Sequence, residues 1–484
     1  MPKVKGSLEL PLRGRADGHS LTDWLYEELR AAIVEGRLAG GTRLPATRDF
    51  AAMHGVSRGV VVEAFERLQS EGYLCSRVGA GTWVNDRVMP RARSIAAPAT
   101  EPAYIRRTVA GYARPKAWVG LAAAPMRPFR MGVPEEREFP AKLWATLAAR
   151  RAKAGTWILG EHDARGYRPL REAIARYLGS ARGVVCEADQ IVIVSGIQQA
   201  LDVLARILVR PGGRVWMEDP GYFGARIAFE NVRARIVPVP VDDEGICVAR
   251  GVRKAAGAVG AYVTPAHQFP LGMTMSLGRR MELLRWAEES GAFVIEDDYD
   301  SEYRFAARPI PALMSLDRGS NVVLVGSFSK LMFRSLRIGY IVAPRKLTDY
   351  IAAFRMRTDF RAVHFEQAVL SEFIERGHLG RHVRRMREIY AARRGELLDA
   401  ARRYLRGALE VAGAHCGLYT AAYLRNGMSS AQAEAAAGAA GVEALALDRY
   451  TVAARDPQGL LLGFASFREE EIREGVRRLA RGLG

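Results

Sequence analysis

Hydrophobic and polar positions change their period twice along the chain. From Ser20 to Val34 apolar side chains recur at helical spacing: Trp24, Leu25, Leu29, Ile33 and Val34. Ser20-Leu21-Thr22-Asp23 opens this helix as a capping box, and Gly36 stops it. After the turn Gly40-Gly41-Thr42-Arg43-Leu44-Pro45, Thr47 is placed to cap a short helix through Phe50 and Met53. Gly55 turns the chain, and Ser57 caps a third helix with Val61, Phe65 and Leu68 on one face. Tyr73 to Val84 reads as two short strands around a glycine-rich tip. The pattern predicts a winged helix-turn-helix, an α+β unit, over 18–85. Periodicity then lapses in an Arg/Ala/Pro-rich linker, 86–125. From Phe129 strand-length apolar runs alternate with helices: Gln190–Val194, Arg214–Met217, Ala261–Val263, Phe293–Ile295 and Asn321–Val325. This predicts a multidomain protein whose second unit, 126–484, is α/β with a mixed, mostly parallel sheet. Its large part is expected at about 166–365 and its small part at about 126–165 and 366–484.

Charge sharpens this division. The chain carries a net +18, yet residues 1–88 hold 12 basic and 11 acidic side chains. Residues 89–130 hold 8 basic and 1 acidic, so near the N-terminus the excess lies in the linker, as in a segment that tracks an acidic polymer or simply stays solvated. Four scattered cysteines and no closely spaced histidine pair argue against a disulfide framework or a metal site, and fit a reducing cytoplasm. No apolar run has the length of a membrane span, and the N-terminus lacks the apolar core of a signal peptide.

The candidate chemistry gathers where predicted strands end. Asn321–Val325 runs into Gly326-Ser327-Phe328-Ser329-Lys330, with Arg337 seven residues after the lysine. Only 8 of 71 basic residues are lysines, so a lysine kept here suggests a need for an amine that can lose its proton, which arginine cannot supply. Gln190–Val194 delivers Ser195-Gly196-Ile197-Gln198 into a helix, and free amides at a helix start suit a phosphate. Glu218-Asp219-Pro220-Gly221-Tyr222, Thr264-Pro265-Ala266-His267-Gln268 and Glu296-Asp297-Asp298-Tyr299 leave three further strands.

The Ser-x-Ser-Lys segment resembles that of fold-type I pyridoxal 5'-phosphate (PLP) proteins, the aspartate aminotransferase superfamily. The resemblance implies that Lys330 is the Schiff-base lysine, with Ser195, Gly196, Ile197, Gln198, Ser327, Ser329 and Arg337 around the phosphate. It also implies Tyr222 stacked on the ring, His267 and Gln268 near the ring hydroxyl, Asp297 at the ring nitrogen and Tyr299 donating to the ring oxygen. In the N-terminal unit, Leu38–Arg48, Gly55-Val56-Ser57-Arg58 and Leu68–Leu74 resemble the GntR-family DNA-binding domain. There the resemblance implies that Arg48, Ser57, Arg58 and Arg77 contact double-stranded DNA.

The two together resemble the MocR/GabR/PdxR regulators, which implies a PLP-responsive, homodimeric transcription factor sensing PLP, or an amino-acid or amine effector. Regulation of vitamin B6 supply would be one target. Two departures from aminotransferases weigh against efficient turnover. Leu461 aligns where an arginine would hold the substrate carboxylate, and Leu159-Gly160-Glu161 lacks a tyrosine that would reach the neighbouring subunit's phosphate. The competing readings are an active PLP-dependent aminotransferase with an accessory DNA-binding domain, its carboxylate taken by Arg334 or Arg226, and a DNA-binding protein with a cofactor-free domain.

Overall fold

The structure, a computed structural model, describes residues 12, 20–77, 81–86, 125–155, 163–305, 311–318, 320–358, 364–413, 415–453 and 457–484. The chain forms two compact units, Met1–Ala124 and Pro125–Gly484. The linker expected over 86–125 and the Leu159-Gly160-Glu161 departure lie almost wholly or entirely outside the described residues.

In the first unit α1 (Leu21–Val34), α2 (Thr47–His54) and α3 (Arg58–Ser70) pack against a small antiparallel sheet. The sheet is β1 (Arg43–Leu44), β2 (Leu74–Arg77) and β3 (Gly81–Val84), in the order β1-β3-β2. Ser20 caps α1 by accepting from the Asp23 amide at 3.1 Å, and Ser57 caps α3 by accepting from Val60 at 3.4 Å. Leu25, Leu29 and Ile33 of α1 meet Phe50, Val61, Phe65 and Leu68 in one buried cluster. Two details differ from expectation. Thr47 is the first residue of α2, whose cap is Ala46 with no side-chain bond, and Met53 is 47% exposed because its face of the short helix points away from the core.

The second unit is built on an eight-stranded sheet, ordered β4-β11-β10-β9-β8-β5-β6-β7. These strands are β4 (Ile191–Val194), β5 (Arg214–Asp219), β6 (Arg235–Asp242), β7 (Gly245–Ile246), β8 (Gly260–Val263), β9 (Phe293–Asp298), β10 (Val322–Ser327) and β11 (Gly339–Val342). β6, β5, β8, β9 and β10 are mutually parallel, while β11 is antiparallel to both β10 and β4. β4 therefore points the same way as β10. Val194 and Ser327 both face Gly339, which sets the exits of β4 and β10 level across the sheet. Strands such as Ile191–Val194 and Val322–Ser327 are apolar runs buried throughout, as a sheet covered on both faces requires.

A second, antiparallel sheet completes the unit: β12 (Leu409–Val411), β13 (Tyr419–Leu424), β14 (Leu445–Ala446) and β15 (Gly459–Gly463), ordered β12-β13-β15-β14. The long helix His378–Tyr404 and the helix Glu469–Gly482 share a core with it that continues to β4, β10 and β11.

Candidate functional site

Five strands pointing one way bring their carboxyl ends to one edge, where open α/β sheets place ligands. β10 ends at Ser327, and Lys330 comes within a turn of it, its Nζ donating to the Gly132 carbonyl at 2.5 Å. Gly132 has φ +66°, and a Cβ there would lie 2.5 Å from Nζ, so the amine occupies space that only glycine leaves open. Burial lowers the Lys330 pKa, opposed by the charges of Asp300 and Asp297 and assisted by Arg334. The amine is thereby readied as a nucleophile.

Beside it, Arg337 sits in the left-handed region at φ +51°, an uncommon conformation for a side-chain-bearing residue. Its guanidinium lies over Gly196, whose Cβ would come within 3.1 Å of Nη2. Gly196, at φ +107°, starts the helix Ile197–Leu208 with no side-chain cap. A guanidinium thus faces the open amide end of a helix, two anion-binding features in one place. Ser329 donates its amide to Ser327 Oγ at 3.2 Å, while its own buried Oγ has no partner among the described residues. Gln198 spends its Nε2 on the Gly224 carbonyl and leaves a buried Oε1 unpartnered. Ser195 differs from expectation: its amide donates to Gln199 Oε1 at 2.6 Å, so its backbone is already engaged.

The three acids ending β9 are separated by strand alternation. Glu296 accepts from the Leu313 and Met314 amides at 2.8 Å each, and Asp298 from Arg182 at 2.6 Å, both structural bonds. Asp297 points to the opposite face. One of its oxygens accepts from the Tyr262 hydroxyl at 2.6 Å; the other, Oδ1, is buried without a partner. Burial pushes its carboxyl up to about 7, with the Tyr262 bond lowering it and Asp298 and Asp300 raising it. Tyr262 was not foreseen from sequence; its place two residues before the Pro265 turn was the only clue.

Tyr222 stands before the helix Phe223–Asn231 with its ring 5.5 Å from that of Phe269. His267 is buried and bonded through Nδ1 to Asp300 at 2.9 and 3.1 Å. Gln268, expected near a ring hydroxyl, is instead a structural clasp, donating to Glu218 Oε2, Pro220 O and Phe269 O. Tyr299 lies 3.1 Å from His267 Nδ1 and 2.9 Å from the Tyr419 hydroxyl, and donates to the His267 carbonyl at 3.0 Å. His267, Asp300 and Cys416 also bring potential ligand atoms within 4.8 Å of one another, a grouping that sequence spacing did not reveal.

Leu461, on β15, is fully buried with Tyr419, Ala421, Leu447 and Tyr450, and packs against Met131, Phe269 and Tyr299. The surroundings are apolar and aromatic. Arg334, half-exposed, pairs with Glu136 at 3.2 Å, and Arg226 with Glu230 at 3.7 Å.

In the first unit Ser57, Arg58 and Arg48 are exposed, and neither arginine makes an ion pair among the described residues. They stand at the starts of α3 and α2, with Ser57 held by its capping bond. Arg77 ends β2 opposite Gly81; its side chain and residues 78–80 lie outside the described residues.

Residues 136–479 match the family described as aminotransferase class I and II, and residues 21–84 that described as bacterial regulatory proteins, gntR family. A "Probable rhizopine catabolism regulatory protein MocR" of Rhizobium meliloti is 38% identical over 94% of this chain and 92% of its own. The "HTH-type pyridoxine biosynthesis transcriptional regulator PdxR" of Corynebacterium glutamicum is 30% identical over 78% of each. Among solved structures, kynurenine aminotransferase of Pyrococcus horikoshii superposes with a TM-score of 0.70 at 26% identity, covering 81% of this chain and 97% of its own. The α-aminoadipate aminotransferase LysN of Thermus thermophilus, complexed with N-(5'-phosphopyridoxyl)-L-leucine, gives 0.68 at 28%, covering 73% and 91%.

Proposed function

The chain belongs to the aminotransferase class I and II family and to the MocR-type regulators, and from that membership we propose that it is a DNA-binding transcriptional regulator responsive to PLP. The observation that carries this reading is a buried constellation with spare bonding capacity at one sheet edge. Lys330 supplies an amine, Arg337 and the start of the Ile197–Leu208 helix an anion seat, and Asp297 Oδ1 and Ser329 Oγ are buried acceptors or donors awaiting partners. Unsatisfied buried polar atoms cost free energy, so their concentration here fits a polar ligand of PLP's shape.

Lys330 would hold the aldehyde carbon and Arg337, Ser327, Ser329 and the amides of Ile197 and Gln198 the phosphate. Tyr222 would flank the ring, and Asp297, ionised once a cation sits beside Oδ1, would keep a proton on the ring nitrogen. PLP bound there supplies an electron sink to any amine it captures. The other side of the site restricts which amines can be turned over. Leu461 offers no bidentate partner to a carboxylate, which favours sensing over turnover. A second reading, amino-acid transamination, draws on one observation: the charge of Arg334 reaches Lys330, so this arginine could take a carboxylate by leaving Glu136.

In the first unit Ser57, Arg58 and Arg48 would hold DNA phosphates at helix starts, with α3 in the major groove and Arg77 on the wing. The regulator would act as a cytoplasmic homodimer whose effector, PLP alone or an amine joined to it, binds two states unequally. No helix among the described residues is long and apolar enough to cross a membrane.

The test is a visible spectrum of the purified protein and of Lys330→Ala, together with operator-DNA binding with and without PLP. The expected result is an absorbance band of lysine-bound PLP in the wild type alone, and DNA affinity that responds to PLP only in the wild type. A band that survives in the variant defeats the assignment of Lys330, and amino-acid turnover at ordinary enzyme rates defeats the regulator reading.

A further inference from the structure

The Tyr299 hydroxyl is held by an arrangement that spans both sheets of the second unit. Asp300 grips His267 Nδ1 through both oxygens, and each residue is buried. His267 Nδ1 lies 3.1 Å from Tyr299 Oη, whose proton is directed to the His267 carbonyl at 3.0 Å. The fourth member comes from the other sheet: Tyr419, the first residue of β13 and almost wholly buried, has its hydroxyl 2.9 Å from that of Tyr299. Because Tyr299 donates to the carbonyl, Tyr419 is the donor between the two hydroxyls.

The segment leading into β13 is fastened to the loop after β9. The Gly417 amide donates to the Tyr303 carbonyl at 2.9 Å and the Phe305 amide to the His415 carbonyl at 3.0 Å. Gly417 has φ +89°, and a Cβ there would collide with the His267 ring and lie 2.6 Å from Asp300 Oδ2. Only glycine lets the segment pass so close over the His267–Asp300 pair. The titratable groups facing Tyr299 are Asp300 on its own loop, His267 from the exit of β8, and Tyr419 and Cys416 from the segment entering β13.

We propose that Tyr419, with the Asp300–His267 pair behind it, is a positioning residue that aims the Tyr299 hydroxyl and strengthens it as a donor to the ring oxygen of bound PLP. The inference rests on the PLP reading above. A hydroxyl that accepts from one neighbour donates more strongly to the next, so the Tyr419 bond polarises Tyr299 toward its ligand. A strong donor stabilises the ring oxygen as an anion without a balancing proton; a weakened donor leaves that charge to be balanced by a proton, which is then kept to higher pH. The small sheet thereby takes part in setting the ligand's ionisation through a single hydrogen bond.

The test is a pH titration of the visible band of PLP-loaded protein between about pH 5 and 10. Tyr419→Phe is expected to keep the band and move its midpoint upward by roughly half to one unit, the worth of one hydrogen bond. Tyr299→Phe moves it further the same way, Asp300→Asn moves it through His267, and Tyr423→Phe, on the same strand, leaves it in place. Lys330→Ala separates the two readings: a band there defeats the PLP assignment and not the positioning one. A Tyr419→Phe or Asp300→Asn midpoint equal to wild type, with Tyr299→Phe shifted, overturns the inference. So does a wild-type band that does not titrate in this range.

Discussion

The winged unit and the sheet-edge site both present polar groups for a ligand, but by opposite means. In the winged unit each group is near its supporters in sequence: Ser57 caps the helix that Arg58 begins, and Gly55, three residues before Arg58, closes α2 at φ +64°. The groups are exposed, and water satisfies them until DNA arrives. At the sheet edge the supporters are remote. Tyr262 is 35 residues from Asp297, and Tyr419 is 120 from Tyr299. The groups are buried, and several have no partner. A surface that waits in water is tolerant of change; a buried one holds free energy in reserve for its ligand and is not.

The widest separation between the two regions is expected at their glycines. Gly417→Ala drives a methyl group into the His267–Asp300 pair at positive φ, and overpacking plus backbone strain should destabilise the second unit by about 2–4 kcal/mol in urea unfolding. Gly55→Ala meets nothing within 4 Å, so only the backbone term of about 1 kcal/mol remains. Equal losses at the two positions would remove the distinction between local and remote support.

Asp297→Asn comes next. Losing the anion beside a ring cation should weaken PLP by about 1.5–3 kcal/mol, roughly 10- to 150-fold, in equilibrium titration. The same carboxyl sets a pH dependence in the unliganded protein. Burial holds Asp297 and Glu218 up to about 7, whereas in the unfolded chain both ionise near 4. As pH rises the unfolded state loses these protons first, so stability should fall between about pH 4 and 7. Asp297→Asn should flatten its share of that slope, as read from urea midpoints at several pH values.

Smaller effects belong to the winged unit. Arg48→Ala and Arg58→Ala should each weaken DNA binding alike across sequences and reduce the slope of log K against log salt by about 0.9, the mark of one lost phosphate contact. A change in sequence preference without a change in slope would make them base readers. Ser57→Ala should cost about 1 kcal/mol in unfolding of this unit and leave PLP absorbance unchanged.

Legibility from sequence divides along the same line. The helices of the winged unit could be read because their caps and apolar stripes are local, and the failures were local too: Thr47 begins α2 instead of capping it, and Met53 faces outward. In the second unit the strand exits were visible as apolar runs that stop at polar motifs. Asp297 could be chosen over Glu296 and Asp298 by motif, but the physical reason, alternation across β9, needed the partners on each face. The engagement of Ser195 by Gln199 and the retreat of Gln268 into a clasp with Glu218 could not be read, because each depends on a rotamer chosen by neighbours.

By itself, then, the order of residues determined the succession of elements, the two families joined in one chain, and the motifs that end each strand. Local propensity and period are properties of neighbours in sequence, so they survive without a fold. Tertiary structure alone decided which polar groups are left unsatisfied, that Leu461 lies in an aromatic cluster, and that Tyr419 and Gly417 close over the site from another sheet. Burial and hydrogen-bond partnership are set by atoms brought together from more than a hundred residues apart, and no window along the chain contains both.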